Sequence, residues 1–136
     1  MGDRNIIGFA SDAQSAPVYL YSHWGGSMRY HDLADAIAKA EPRWCDPQYA
    51  TRIAICSIIG EKNWAAETGF GITNDYNECD SNYDDMLVVC WKERRVEMRV
   101  LRSSNVAFAF SFEEFLSRFG GSVTLLRALS LAEEDI

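Results

Sequence analysis

The chain has 136 residues, of which 48% are hydrophobic and 24% are charged, a composition typical of one folded domain rather than of a disordered, collagen-like or coiled-coil chain. Its 13 basic and 20 acidic residues give a net charge of −7, which opposes a phosphate backbone, so we expect no nucleic-acid partner. Its apolar runs fall far short of the roughly 20 residues that span a bilayer, and it begins with neither a signal-peptide pattern nor a myristoylation site, so we expect no membrane partner and a cytoplasmic location.

The first half of the chain predicts a β-hairpin followed by two helices. Apolar residues that alternate with a period of two place the strands at 5–10 and 18–22. Apolar residues at helical spacing place the helices at 31–40 and 47–59. Pro42 ends the first helix, because a proline disfavours helical backbone before it. Asp46 and Pro47 are typical first residues of a helix, since aspartate caps free amides and proline fits the first turn. Gly60 ends the second helix.

The second half predicts four strands, a polar loop and a third helix. The strands are placed at 67–73, 86–91, 95–101 and 106–110, and the polar loop at 74–85. We expect a hairpin of the middle two strands that sets Trp91 opposite Val96, because this register sends the large apolar residues to one face. Ser111 and Glu114 form a capping box that starts a helix ending at Gly120, and the tail from Ser122 predicts one more short helix.

This order of elements predicts a single α+β domain over residues 1–136, with a mainly antiparallel β-sheet packed on one face by about three α-helices. The outer face of the predicted hairpin carries two apolar and two charged side chains, Val88, Cys90, Glu97 and Arg99. Such a mixed face is either solvated or forms half of a symmetric contact, so a homo-oligomer is a second expectation.

The chain has four cysteines, Cys45, Cys56, Cys79 and Cys90. No two of them have the C-x-x-C spacing that is typical of cysteines that bind a metal. We therefore expect no zinc site, and we expect reduced thiols that are mostly buried. Cys79, in the polar loop, is the cysteine expected to be most exposed.

A candidate ligand site lies where the second strand meets the first helix. Its residues are His23, Trp24, Gly25, Gly26, Ser27 and Arg29. Two glycines followed by Ser27, as cap of the helix, aim free amides outward, so this junction is suited to a phosphate or carboxylate. The alternative is a purely structural tight turn in which Trp24 plugs the edge of the core.

A candidate partner surface combines the acidic loop with the basic hairpin that follows it. Its residues are Asp75, Glu78, Asp80, Asp84, Asp85, Arg95 and Arg99. The loop lacks the glycine and the final glutamate of an EF-hand, so we expect no EF-hand calcium site and assign no metal ligand. The alternatives left open are a solvated loop, a magnesium ion, a basic protein partner, and mutual neutralisation of loop and hairpin.

Recognisable catalytic and cofactor motifs are missing from the sequence. It has no G-x-S-x-G, H-E-x-x-H or P-loop, and only His23 and His31 are available as imidazole bases. We therefore expect no cofactor and favour a binding protein over an enzyme, with a hydrolase that uses His23 as the catalytic alternative.

Five sequence blocks, MGDRNI, VYLYSHWGG, RWCDPQYATRI, ETGFGIT and SFEEFL, occur in this order over most of residues 1–118. In this combination the chain resembles a family of small uncharacterised proteins encoded by tailed bacteriophages, especially those of actinobacteria. The resemblance implies a setting, the cytoplasm of an infected bacterium, and an accessory role in host takeover or counter-defence; it brings no catalytic residue with it. The leading hypothesis is a non-enzymatic protein that binds a host protein. The alternative is a protein that binds or sequesters a nucleotide-type signal.

Overall fold

Six strands form one sheet, and three α-helices pack against one of its faces. The computed structural model describes residues 2–61 and 63–121. Its strands are β1 (Asn5–Ala10), β2 (Val18–Ser22), β3 (Phe70–Thr73), β4 (Asp85–Cys90), β5 (Arg95–Val100) and β6 (Val106–Ser111), and its helices are α1 (Arg29–Lys39), α2 (Pro47–Ile59) and α3 (Phe112–Phe119). The strand order is β3-β2-β1-β4-β5-β6, with β1 and β4 parallel and the other neighbours antiparallel. The predicted α+β class is confirmed.

The helix boundaries follow the sequence signals closely, with two differences. The second helix lies where it was predicted, and Ser111 and Glu114 form the predicted capping box of α3. Helix α1 begins two residues earlier than predicted, at Arg29, because a 3-10 helix over Gly26–Met28 leads directly into it. The prediction that the Asp46 side chain caps α2 is wrong, since that side chain makes no capping hydrogen bond. The short helix predicted from Ser122 lies outside the described residues.

The β4–β5 hairpin has a register two residues away from the predicted one. Val89, and not Trp91, lies opposite Val96. The reason is the turn: Trp91 leaves the strand to begin a four-residue turn, closed by the Arg94 amide, which donates to the Trp91 carbonyl over 3.1 Å. Because side chains alternate with a period of two, a shift of two residues keeps each side chain on its predicted face.

The main core lies between the sheet and the helices. Strands β1, β4 and β5 contribute buried apolar side chains to it, as do all three helices. Trp91 is fully buried, and its indole N–H donates to the Thr51 hydroxyl of α2 over 2.9 Å, so its one polar atom is satisfied. Phe112, the first residue of α3, packs edge-on against this indole with ring centroids 5.7 Å apart. The capping box thus starts α3 where its first side chain enters the core.

The opposite face of the sheet is covered by loops. Val88 and Cys90 are fully buried in a second apolar cluster, against which Tyr76 and Leu101 pack. The expectation that this face is solvated, or half of a symmetric contact, is therefore wrong. The physical reason is that apolar side chains in the loop regions fold back over the strands and remove their apolar surface from water.

The cysteines differ in exposure from the prediction, since Cys45 is exposed whereas Cys79 and Cys56 are half-buried. Cys90 is buried, and this burial raises the pKa of its thiol to about 11.

Only a thiolate attacks alkylating reagents readily. In the native protein at pH 8, iodoacetamide is expected to modify Cys45 first and to leave Cys90 unmodified until denaturant is added. Peptide mass spectrometry measures the order; early modification of Cys90 in native buffer would contradict the structure.

Candidate functional site

A small pocket lined by both polar and apolar side chains, Ile7 and Ile58 among the latter, opens beneath the junction between β2 and α1. The residues that give it its chemistry are Asn5, Ser22, Trp24, Arg29, Asp32 and Phe70, and its volume is about 180 Å³. We call it the Arg29 pocket. It brings together three members of the predicted ligand site, Trp24, Gly25 and Arg29, with side chains from both neighbouring strands and from the first turn of α1.

Two of its polar side chains come from paired positions of the hairpin. Asn5 lies directly opposite Ser22 in the β1–β2 register, and both residues are buried. Asn5 lies two residues before Ile7, and Ser22 lies two residues after Leu20. Residues two apart in a strand share a face, and Ile7 and Leu20 belong to the helix-side core, so Asn5 and Ser22 also point towards the helices. The Asn5 amide donates to the Trp24 carbonyl over 3.4 Å. Polar groups thus stand at core-facing positions, where apolar side chains are usual.

Arg29 is held at the pocket wall by three groups. Its side chain donates to the Gly26 carbonyl over 2.8 Å and to the Asp85 carboxylate over 3.2 Å, and its guanidinium lies 3.9 Å from the centre of the Tyr83 ring. The residue is only 8% exposed, and its Nε has no hydrogen-bond partner. A buried donor without an acceptor costs about 1–3 kcal/mol, so Arg29, one of the lining residues, has an unmet hydrogen-bonding need.

The amides that the sequence assigned to an external anion are engaged by Asp3. The Ser27 amide donates to the Asp3 carboxylate over 2.7 Å, and the Gly26 amide donates to the Asp3 carbonyl over 2.9 Å. The Tyr83 hydroxyl donates to the other carboxylate oxygen over 2.6 Å. Ser27 was also expected to cap the helix, and this is wrong, because Met28 occupies the N-cap position of α1. A carboxylate of the protein itself supplies the negative charge at this junction.

The hydrogen bond from Tyr83 and the amide of Ser27 lower the pKa of Asp3 below its usual value of 3.8. A carboxyl group whose pKa falls on folding stabilises the protein above its unfolded pKa, and this contribution disappears as the pH falls through the folded value. Asp3→Asn is therefore expected to lower the melting temperature at pH 7 and to have progressively less effect below about pH 4. Thermal unfolding from pH 2 to pH 7 measures this; a difference that is constant across the range would show that Asp3 acts through shape alone.

The aromatic residues of the junction lie at the mouth of the pocket. Trp24 is 59% exposed, so the expectation that it plugs the edge of the core is wrong. Its ring meets the His23 ring edge-on with centroids 4.9 Å apart. His23 also contacts the Tyr21 hydroxyl through Nδ1 over 3.3 Å, and it does not line the pocket. The indole therefore lines the pocket and is largely exposed to solvent, with the imidazole beside it.

Asp32 places a carboxylate at the pocket rim. Partial burial, followed by the nearby charge of Asp35, raises the pKa of Asp32 above 3.8. Arg29 is already paired with Asp85 through the ion pair described above. The positive charge of the pocket wall is thus balanced, and Asp32 adds a negative charge.

The predicted partner surface is divided by the fold. Arg99 is buried on the loop-covered face and, like Arg95, pairs with Glu97, so these arginines do not neutralise the acidic loop. The acidic residues are partly engaged elsewhere, Asp85 by Arg29 and Asp80 by Arg4.

The remaining acidic residues of that surface are Asp75, Glu78 and Asp84. Asp75 and Asp84 are exposed, and the Asp75 carboxylate accepts the Asn77 amide over 3.0 Å. The side chain of Glu78 lies outside the described part of the chain. Over residues 2–61 and 63–121, no three His, Cys, Asp or Glu side chains are grouped so as to hold a metal ion. Host-protein binding through this surface stays a prediction.

Comparisons with protein-family models, with curated proteins and with solved structures found no match for this chain. Within the described ranges, none of the helices combines the length and the apolar character needed to cross a membrane. The pocket itself therefore carries the functional interpretation.

Of the six residues that give the pocket its chemistry, sequence reasoning missed four, namely Asn5, Ser22, Asp32 and Phe70. A signal was present for the first two, because a polar residue at a core-facing position of a strand is unusual. No local signal marks the other two, since they reach the pocket only through the packing of α1 and β3 against the hairpin.

Proposed function

We propose that this protein binds a small, uncharged, planar polar molecule in the Arg29 pocket and acts by holding it. The observation that carries the proposal is the nine-tenths buried arginine whose Nε lacks an acceptor at the wall of a pocket lined by polar and aromatic side chains. Ligand sites combine such convergent polar groups with apolar walls. An acceptor atom on the ligand would supply the partner that this donor lacks once the side chain turns its Nε into the pocket.

The size of the pocket favours a single ring system over a whole nucleotide. Its volume of about 180 Å³ lies below the range of about 300–1,000 Å³ that is typical of drug-sized ligands. The rings of Trp24 and Phe70 at its walls suit a flat molecule. The alternative ligand expected from the sequence is a nucleotide-type signal. The pocket size favours a free nucleobase over a whole nucleotide.

The charge of the pocket favours a neutral ligand over a phosphate or carboxylate. Arg29 is already paired with Asp85, Asp3 supplies the anion at the neighbouring amides, and Asp32 adds a carboxylate at the rim. The carboxylates of Asp85, Asp3 and Asp32 would each repel an incoming anion. A neutral heterocycle with adjacent acceptor and donor atoms meets both the arginine donor and the Asp32 acceptor.

Binding without chemistry is favoured because no activated nucleophile faces the pocket among the residues that line it. The Ser22 hydroxyl has no imidazole beside it in the lining, and His23, the base that a hydrolase would need, lies outside the lining. With the resemblance to phage proteins, this supports an accessory protein that removes a small molecule from the cytoplasm of an infected bacterium.

Calorimetric titration of the full chain with adenine, cytosine and uracil, with inorganic phosphate as the anionic comparison, tests the proposal. At least one base is expected to bind, and phosphate is not expected to compete with it. Ser22→Ala removes one pocket hydroxyl and is expected to weaken binding about five-fold, the effect of one neutral hydrogen bond. Ser117→Ala makes the same change at an exposed position of α3 and is expected to leave binding unaltered.

Two results would refute the proposal. One is the absence of heat with every base, together with a native mass equal to that of the bare chain when the protein is purified gently from a bacterial host. The other is an equal loss of affinity in the Ser22 and Ser117 variants, which would place the ligand elsewhere.

A further inference from the structure

Strand β6 is one end of the sheet, and it carries neither the charges nor the prolines that usually protect such an edge. Among the described strands it has a neighbour, β5, on one side only. Residues 103–112, which contain the whole of β6, include no charged side chain and no proline, although the chain has a net charge of −7. Natural proteins protect exposed edges with charges, prolines, bulges or very short strands. The edge at β6 is therefore suited to receive a further strand.

The backbone of β6 directs hydrogen-bonding groups towards this open side. The Phe112 amide, directly after β6, donates to the Arg94 carbonyl, directly before β5, over 2.9 Å. The amide before it, that of Ser111, donates instead to the Glu114 carboxylate over 3.1 Å. Successive residues of an antiparallel strand direct their N–H and C=O groups to opposite sides, so Ala109 shares the direction of Ser111. The N–H and C=O of Ala109 therefore face the open edge.

Large apolar side chains are exposed beside these backbone groups. Phe108 is 64% exposed and Val106 is 50% exposed. Phe110 shares a face with Phe108 and is half-buried, with its ring centroid 5.8 Å from that of Phe115. The irregularity in the pairing of β5 with β6 lies before Phe108, so the strand is regular from Phe108 to its end. Exposed apolar surface next to open backbone groups favours a partner strand that covers both.

We propose that β6 pairs antiparallel with β6 of a second copy of this chain, which joins the two sheets about a two-fold axis. Pairing around Ala109 uses the same backbone groups of both copies. It sets Phe108 of each copy beside Phe110 of the other, on the face that carries the helices. Because residues 103–112 are uncharged, the two strands meet without placing like charges opposite each other.

The charges that flank β6 favour a second copy over an unrelated partner. Arg102 precedes the uncharged segment and Glu113 follows it, and both residues are exposed. In an antiparallel pair the start of one strand lies beside the end of the other, so Arg102 of each copy approaches Glu113 of the other. A two-fold axis produces this contact twice. The two ends of β6 thus carry charges that its own copy complements.

Sedimentation equilibrium of the full chain tests the proposal. Pairing of one six-residue strand is a small contact, so we expect a concentration-dependent dimer with a dissociation constant of roughly 10–100 µM. Phe108→Lys is expected to raise this constant at least about ten-fold, because it removes both aromatic contacts and places an ammonium group in the interface. Phe108→Ser replaces this variant if the lysine chain does not fold.

Ile72→Lys is the matched control for Phe108→Lys. It makes the same change of charge at a 58% exposed residue of β3, the other edge strand, and is expected to dimerise like the wild type. Both substitutions make the chain less negative. A general change in repulsion between the copies therefore cannot explain a difference between the two variants.

A charge exchange tests the antiparallel arrangement. Arg102→Glu and Glu113→Arg are each expected to weaken the dimer about two- to five-fold, the effect of an exposed ion pair, and the chain with both changes is expected to regain the wild-type affinity. Repulsion between net charges predicts the opposite for Glu113→Arg, since that chain is less negative and would dimerise more tightly.

Four results would overturn the inference: a monomer at every concentration, a Phe108→Lys chain that dimerises like the wild type, equal weakening by Ile72→Lys, or a charge exchange that restores nothing. Strands β1, β4 and β5 lie between β6 and β2, the strand of the Arg29 pocket. Dimer formation is measured without any ligand, so failure of this inference is distinguishable from failure of the proposed function.

Discussion

Replacing Gly26 by alanine is expected to destabilise the protein by about 3 kcal/mol, at the upper end of the usual cost of overpacking. A methyl group at this buried position would lie 2.7 Å from the Asp3 carboxylate and 2.9 Å from the Asp3 carbonyl, and it would also collide with the Tyr83 ring. Neither neighbour can move without breaking the hydrogen bond between them or the stacking of Tyr83 on Arg29. Urea unfolding followed by tryptophan fluorescence measures the loss.

Gly71→Ala is the matched control for this substitution. Gly71 lies in the edge strand β3, and a methyl group there meets no atom within 4 Å. Its effect is expected to stay within about 1 kcal/mol, the range of intrinsic strand preferences. If the two variants lost equal stability, the close packing of Gly26 against Asp3 and Tyr83 would be disproved.

Glu97→Gln is expected to cost about 3–5 kcal/mol, the penalty for breaking a buried ion pair from one side. Glu97 is 4% exposed, and its two carboxylate oxygens are divided between Arg99, at 2.8 Å, and Arg95, at 2.6 Å. Arg95 can turn towards water because its side chain is 38% exposed. Arg99 is 9% exposed, so without the carboxylate it becomes a buried charge beside Cys90. The free energy of unfolding in urea gives the magnitude.

Two further variants separate charge from packing at this position. Replacing Glu97 and Arg99 together by methionine is expected to recover most of the stability, because removing both members of a buried pair leaves no charge without a partner. Glu113→Gln, at an exposed position of α3, is expected to change stability by less than about 0.5 kcal/mol. If the methionine pair were as unstable as Glu97→Gln, lost packing and not the stranded arginine would explain the effect.

Local signals predicted most of the fold because each depends on a few neighbouring residues. The helix over 47–59 and the capping box at Ser111 are set by proline placement, helical spacing and one side-chain hydrogen bond. The β4–β5 register was missed because it depends on the turn, where Arg94 adopts a left-handed backbone that no sequence rule for arginine predicts. The face of the sheet on which each side chain of β4 and β5 lies was still predicted correctly, because the register differed by an even number of residues.

The special backbone at the junction between β2 and α1 was predicted from the sequence, but the charges around it were not. The sequence located the junction at Gly25 and Gly26, since adjacent glycines between a strand and a helix mark a special backbone. It could not show that Asp3, more than twenty residues away, supplies the carboxylate there, or that Arg29 is paired with Asp85. Such charge balance depends on which distant side chains lie at the junction, and for this reason we propose a neutral ligand in place of the anion expected from the sequence.

The sequence by itself determined the fold class, the extent of α2 and α3 and the sidedness of the central strands, because periodicity and capping act over one or two turns of chain. The tertiary structure alone decided which charges are paired, which face is covered and where cavities remain. Glu97 and Arg99, placed by the sequence on an outer surface, are buried because loops close over that face. The physical reason is that burial and electrostatic pairing are properties of distances between remote segments, and those distances exist only once the sheet and helices have packed.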